Sequence, residues 1–402
     1  MKNKHSLVIG LIIGSLLTSL AWVGYENIVA PSLAESKNSS SEVITPSSKQ
    51  AHKKVIEIEN MINRRFLHDI DAGNMTESMY AGLVDGLGDE YSYYFTKAEF
   101  EQAMESLSGH YQGIGIILVM GKDSTDAIVG HVYEGAPAEE AGIKAGDIIT
   151  HIDGADVSGM LLEDIASLIR EGDSDTVKLT IRRADEEQPL EMTVTKGDID
   201  VPSVRSEMLE NKVGYINIFQ FTQTSASQFE TEYKKLKTEG MERLVVDLRD
   251  NPGGSLPGVC DTLRVFMPKG LLVYSENRQG EQVRFESEGA NPIDIPLVVL
   301  INGNSASASE IFAGAVQDHQ VGTLVGETTF GKGVVQSIFN LSDGSALKLT
   351  TSQYFTPNGS RVDGEGITPD IEIKEPEISE GNTNTQDGDL QLDKAIEILK
   401  AK

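Results

Sequence analysis

A serine and a lysine carry the strongest chemical signal in this chain. Residues 301–336 read INGNSASASEIFAGAVQDHQVGTLVGETTFGKGVVQ: an apolar strand ending, a run of small residues, then an amphipathic helix. Ser307-Ala308-Ser309-Glu310 fits the S-x-x-E capping box, with Ser307 as N-cap and Glu310 as N3. Ile311, Phe312, Ala315 and Val316 then share one helical face. A serine so placed lies beside free backbone N–H groups at the positive end of a helix dipole, which can stabilise an oxyanion on a carbonyl that it attacks. The competing reading is a plain helix cap. Lys332, in Phe330-Gly331-Lys332-Gly333, weighs against it. A lysine between two glycines after an apolar run can sit on a tight turn with its stem under protein. As a general base it must shed a proton from a group whose free pKa is about 10.4, and desolvation favours that loss. A serine activated by a desolvated lysine is a known nucleophile–base pair. A solvated loop cation is the alternative for Lys332, and the residues alone do not separate Ser307 from Ser305 and Ser309.

The run Ser-Ala-Ser-Ala-Ser-Glu, with Phe-Gly-Lys-Gly-x-Val-Gln after it, resembles the carboxyl-terminal processing peptidases, PDZ-containing serine proteases with a Ser–Lys dyad. The resemblance implies that Ser307 is the nucleophile, that Lys332, 25 residues on, is its base, and that Gln336 supports Lys332. On a straight strand the four residues from Lys332 to Gln336 would span about 13 Å, so contact requires the glycine turn to bend the chain. Upstream, Asp247-Leu248-Arg249-Asp250-Asn251-Pro252-Gly253-Gly254 follows an apolar strand. Paired glycines there allow close backbone approach. Alone the motif reads as a β-turn; by resemblance Gly253 or Gly254 joins the N–H of Ala308 as an oxyanion donor. Asp318 matches a family aspartate with a structural or supporting part. Asp318 and His319 also invite a Ser–His–Asp reading, but neighbours on one helix point apart.

The elements that must position these groups follow from periodicity. Val213–Ile218, Leu244–Leu248 and Leu297–Ile301 read as short apolar strands, separated by helices over Thr224–Thr238 and Gly258–Phe266. That alternation predicts an α/β core with parallel strands. Residues 109–197 read as a small β-rich domain, with strands over Gly115–Met120, Ala127–Tyr133, Asp147–Ile152, Thr176–Arg182 and Leu190–Thr195 and a helix over Leu161–Arg170. GAPAEEAGIKAGDIITHIDGADVSG within it resembles a PDZ domain. The turn Gln112-Gly113-Ile114-Gly115-Ile116 matches that family's carboxylate-binding loop. Successive N–H groups in a glycine-rich turn form an anion nest, and the next strand's edge accepts an extended peptide. Ile114 and Ile116 would line a pocket for an apolar terminal side chain; a PDZ-like spacer that binds nothing is the alternative. Glu171 stands where the family has glycine after Arg170, which weakens any ligand-sensing part for Arg170.

Composition narrows the classes. The 402 residues suffice for two or three domains, and a net charge of −28, from 34 basic and 62 acidic side chains, argues against nucleic-acid binding. The single cysteine, Cys260, sits among apolar residues and reads as an inert core thiol. Seven histidines form no ligand cluster, so neither a metal nor another cofactor is expected. Lys2 and Lys4 precede 19 uncharged residues, Ser6 to Gly24. Their length favours an uncleaved signal anchor over a signal peptide, with the remainder outside the cytoplasmic membrane of a bacterium.

The whole then divides as follows: a transmembrane signal anchor (1–35), a flexible linker (36–50), a helical segment (51–108), a PDZ domain (109–197), a protease core (198–374), and an acidic linker with a C-terminal helix (375–402). In the helical segment, Gly88-Asp89-Glu90-Tyr91-Ser92 resembles the family's D-P-Y-S element, with glutamate in place of proline; packing or dimer formation is its expected part. The fold class expected is a multidomain α/β and α+β chain, with the PDZ domain beside a crotonase-like α/β core. The function implied is a membrane-anchored, extracytoplasmic serine endopeptidase acting on proteins with apolar C-terminal tails. A non-catalytic PDZ binding protein on a degenerate protease scaffold is the alternative.

Overall fold

The computed structural model describes residues 49–121, 125–171, 174–374 and 389–401. The expected anchor and the acidic stretch 375–388 lie outside the described residues. Within them, no helix is long and apolar enough to cross a membrane.

The chain begins with α1 (Lys49–Arg65) and α2 (Ala72–Asp85), which lead into β1 (Tyr93–Phe95) and α3 (Lys97–Ser108). No residue of α1 is buried. The Thr96 capping box with Glu99 starts α3, and Gly109 at φ 73° ends it. The periodicity of 97–108 is weak, and the sequence reading did not find this helix.

Next comes the PDZ-like unit: β2 (His110–Gly113), β3 (Ile116–Met120), β4 (Ala127–Val132), a short α4 (Pro137–Glu140), β5 (Ile148–Ile152), β6 (Ala155–Asp156), α5 (Leu162–Glu171), β7 (Thr176–Arg182) and β8 (Leu190–Thr195). Its sheet runs β3-β4-β5-β7-β8, with β6 on β5. Val129, Ile149, Ile165, Val177, Leu179 and Ile181 are buried between sheet and helix. Alternation along β7, buried at Val177, Leu179 and Ile181, is what a one-sided sheet requires. β2 leaves this sheet and pairs with β9 (Gly197–Asp200), which closes the unit at its base.

The core follows as β10 (Val204–Leu209), β11 (Val213–Ile218), α6 (Ser225–Thr238), β12 (Arg243–Asp247), α7 (Leu256–Arg264), β13 (Gly270–Asn277), β14 (Gln282–Ser287), β15 (Leu297–Ile301), α8 (Ala308–Asp318), β16 (Thr323–Gly326), β17 (Val334–Asn340), β18 (Ala346–Phe355), β19 (Ile371–Glu372) and α9 (Leu390–Ala401). Its main sheet runs β10-β11-β12-β15-β16-β19. The pairs from β11 to β19 are parallel, as expected; β10 adds an antiparallel edge. Both faces of this sheet are covered at its centre, so Leu244–Val246 and the whole of β15 are apolar and buried. Ile216, Val246 and Val299 meet α6, α7 and α8 in the larger core, while Val213, Val245, Val298 and Leu300 meet Ala395 and Leu399 of α9.

A second, antiparallel sheet runs β1-β18-β13-β14, with β17 also on β18. Through β1 the N-terminal segment is a strand of the same sheet that carries the loop after Lys332.

Candidate active site

Ser307 sits between the end of β15 and the start of α8, at φ 52° and ψ −110°. A non-glycine residue at positive φ carries backbone strain of about 1–3 kcal/mol, sustained by its surroundings. The surroundings here are specific. Ser305 Oγ donates to Leu248 O (2.8 Å) and Ser309 Oγ to Asn251 O (2.9 Å), both fully buried. The two rival serines thus fasten the Ser307 segment to the turn after β12. Gly253 fills the gap beneath: a Cβ there would lie 2.7 Å from Ala306 O and 2.9 Å from Ala308 N, so only glycine fits.

Glu310 organises the rest. Its Oε2 accepts from the backbone N–H groups of Ser307 (2.7 Å) and Lys332 (2.9 Å), and its Oε1 from the Gly331 N–H (2.7 Å) and the Thr329 hydroxyl (2.6 Å). One carboxylate oxygen therefore joins Ser307 to Lys332 across 25 residues of chain. Burial pushes the Glu310 carboxyl up, against the pull of those four donors. Tyr354 OH seals the same junction from β18, 2.5 Å from Lys332 O and 3.1 Å from Ser307 O. The capping-box pattern located Glu310 but not its hold on the lysine loop, which involves residues distant in sequence.

Lys332 is 3 % exposed, so it is not a solvated loop cation. Gly331 at φ 90° and Gly333 let the loop press on residues 363–366; a Cβ on Gly333 would meet Asp363 N at 2.1 Å. The ammonium lies 4.4 Å from the centre of the Tyr91 ring. Burial pushes its pKa down to about 7, with the charge of Lys348 adding to the depression and Glu90, Glu310 and Asp89 opposing it. Gln336 is fully buried on β17, beside a register shift against β18. Its Nε2 donates to Thr350 Oγ1 (3.2 Å), and its Oε1 is a buried acceptor with no hydrogen-bond partner among the described residues.

Two expectations need amending. The segment 51–108 supplies more than packing, because Tyr91 lies under the Lys332 ammonium. The aromatic run 91–94 was the available signal, but only the β1–β18 pairing, Tyr93 opposite Lys348, brings it to the site. The two candidate glycines also differ. Gly253 N–H donates to Asn251 Oδ1 (2.8 Å), whereas Gly254 N–H and Ala308 N–H make no hydrogen bond among the described residues. Asp318 and His319 are not brought to Ser307 as a relay. Asp318 accepts from Asn358 N (2.7 Å), and the His319 ring pairs with Leu271 O (2.7 Å). Burial lifts the Cys260 thiol to about 12, which keeps it unreactive.

A second feature lies in the PDZ-like unit. β3 is an edge strand, and between it and α5 opens a cleft of about 900 Å³. Gly113, Ile114 and Ile116 line it with Leu162 and Ile169, and α3 forms a further wall through Glu101 and Glu105. Gly115 stands at φ 79°, packed against Ala136, and the N–H groups of Ile114 and Gly115 make no hydrogen bond among the described residues. Gln112 lies apart, its amide donating to Asp198. Arg170 is tied to Glu105 at 2.6 Å.

Comparison with known proteins matches residues 212–373 to peptidase family S41 and residues 128–183 to the PDZ domain. A carboxyl-terminal-processing protease of Synechocystis sp. is 35% identical over 78% of this chain and 74% of its own length. A probable CtpA-like serine protease of Staphylococcus haemolyticus is 34% identical over 83% and 67%. The solved photosystem II D1 C-terminal processing protease aligns at 26% identity and TM-score 0.46, over 79% of this chain and 86% of that one. With a serine and a buried lysine fastened to one carboxylate and a PDZ unit beside them, the chain belongs to peptidase family S41, among the carboxyl-terminal-processing serine proteases.

Proposed function

We propose that this protein is an endopeptidase in which Ser307 and Lys332 form the catalytic dyad. The observation that carries the reading is the buried Lys332, held with Ser307 on the Glu310 carboxylate and tuned to lose its proton near neutral pH. Ser307 Oγ attacks the scissile carbonyl carbon while its proton passes to Lys332 Nζ. The tetrahedral oxyanion is held by Ala308 N–H and by the glycine pair; Gly254 N–H is the uncommitted donor, and Gly253 must first release Asn251. Collapse of the adduct breaks the C–N bond, and Lys332 returns the proton to the leaving amine. Water, deprotonated by Lys332, then hydrolyses the ester and regenerates Ser307. Gln336 Oε1, a buried acceptor in need of a donor, orients Lys332.

Substrates in this reading are proteins with apolar C-terminal tails. The tail adds as a strand to the edge of β3, its carboxylate on the N–H groups of Ile114 and Gly115 and its last side chain against Ile116. Residues 6–24 anchor the chain, with the enzyme on the outer side of the cytoplasmic membrane. The exposed apolar side chains of α1, among them Val55, Ile56, Ile58 and Met61, support pairing with a second copy. Sedimentation of residues 49–402 checks this: the account expects a dimer that Ile58→Lys with Met61→Lys turns into a monomer. Lys332→Ala tests the chemistry: proteolysis should vanish while titration shows tail-peptide binding unchanged. Cleavage at the wild-type rate would defeat the dyad.

A further inference from the structure

Lys348 is a second buried lysine, and the mechanism above does not use it. It is 2 % exposed on β18, and its side chain makes no hydrogen bond or salt bridge among the described residues; its ammonium lies 5.7 Å from the centre of the Phe95 ring. A buried, unpaired cation is costly, and an apolar side chain of similar size would fill the space at lower cost. Its position is the notable point. Lys348 pairs with Tyr93 on one side and Ile338 on the other. Thr350, two residues on and so on the same face, accepts from Gln336 Nε2 (3.2 Å) and donates its N–H to Ser92 Oγ (3.1 Å). Ser92 follows Tyr91, the ring beneath Lys332. One face of β18 therefore meets both the amide assigned to Lys332 and the loop under it.

We propose that Lys348 is a positioning residue for proton transfer, a cationic neighbour that keeps Lys332 neutral and so sets the lower pH limit of catalysis. The proposal rests on the Ser307–Lys332 reading. Two ammonium groups that share a low-dielectric interior repel, so a charge on one lowers the pKa of the other. The groups facing Lys332 are Asp89, Glu90 and Tyr91 from the loop before β1, Glu310 from α8, and Lys348 and Tyr354 from β18; Asp363 acts on Tyr91 and Tyr354. The carboxylates favour a charged Lys332, and burial with Lys348 outweighs them. Asp89 acts on Lys348 as well, and, against the pull of burial, hydrogen bonds involving Ser92 and Thr350 keep its carboxyl low. Burial brings Lys348 down to about 8, and the Asp89 carboxylate favours its charged form.

The test is the pH profile of kcat/KM on an unstructured protein substrate, from about pH 5.5 to about 9.5, for wild type, Lys348→Met and Lys348→Arg. Removal of the charge should raise the pKa of Lys332 and move the acid limb up by about one pH unit. Lys348→Arg, which keeps the charge, should leave the limb in place. A folded Lys348→Met with the wild-type limb overturns the proposal, whatever its maximal rate. If that variant does not fold, 13C NMR of lysine-labelled wild type decides instead. Two lysine signals titrating below about pH 9 are expected, and a single one overturns the proposal. Activity retained in Lys332→Ala would instead defeat the underlying dyad, so the two failures are distinguishable.

Discussion

The backbones of Ser307 and Lys332 are held together because a third side chain, Glu310, has more acceptor capacity than a helix cap needs. Two of its four hydrogen bonds go to the backbones of the two residues proposed as the dyad, so their relative placement depends on one buried carboxylate. Glu310→Ala should lower stability by about 3–5 kcal/mol, because it leaves buried donors without partners. Glu310→Gln should cost less, since one oxygen remains. Thermal melts of the three proteins check the order. A second expectation concerns pH. Burial of Lys332 lowers its pKa to about 7, so kcat/KM should fall as pH drops through about 7, where Lys332 takes up a proton and can no longer accept one from Ser307. The same shift has a stability consequence. Between about 7 and about 10.4 the unfolded chain binds a proton at this lysine that the folded chain lacks, so the residue's contribution to stability rises with pH through that window.

Among the elements, the parallel strands and PDZ strands were legible because their burial makes them apolar or strictly alternating. Val213–Ile218 and Thr176–Arg182 have the bounds that the pattern predicts. β13 and β14 were not legible, since neither is continuously apolar and only β14 alternates exposed with covered residues, and α3 was hidden by its weak periodicity. The C-terminal helix α9 gives an element-scale prediction. Arg249 joins Asp247 to Asp389 (2.6 Å to each), and Arg243 Nε donates to Leu399 O (2.8 Å), which fastens α9 over Val213, Val245, Val298 and Leu300. Truncation after residue 388 exposes that face and should cost about 5 kcal/mol or more, seen as a lowered melting temperature or loss of soluble protein. In the PDZ-like unit, Ile116→Asp should weaken binding of apolar-tailed peptides by about tenfold or more, since the carboxylate would be desolvated in the cleft. Unchanged affinity by calorimetry would remove the capture step.

Across the whole molecule, the site is composed of parts distant in sequence. The proposed nucleophile comes from the junction of the main sheet with α8, the glycine turn from the end of β12, the lysine loop from the second sheet, and Tyr91 from the N-terminal segment. Sequence motifs located the Ser307 and Lys332 blocks, because such motifs are local. They could not show that β1 joins β18, which is what brings Tyr91 into the neighbourhood of Lys332. The domain boundary expected at residue 108 is, in three dimensions, a place where the chain leaves the catalytic sheet and later returns to it. The central claim, that one hydroxyl does the covalent chemistry, is tested most directly by purified Ser307→Ala against an unstructured protein substrate. The account predicts a fall in kcat of at least about a thousandfold, with tail-peptide affinity and melting temperature near those of wild type. Cleavage by that variant at the wild-type rate would contradict it.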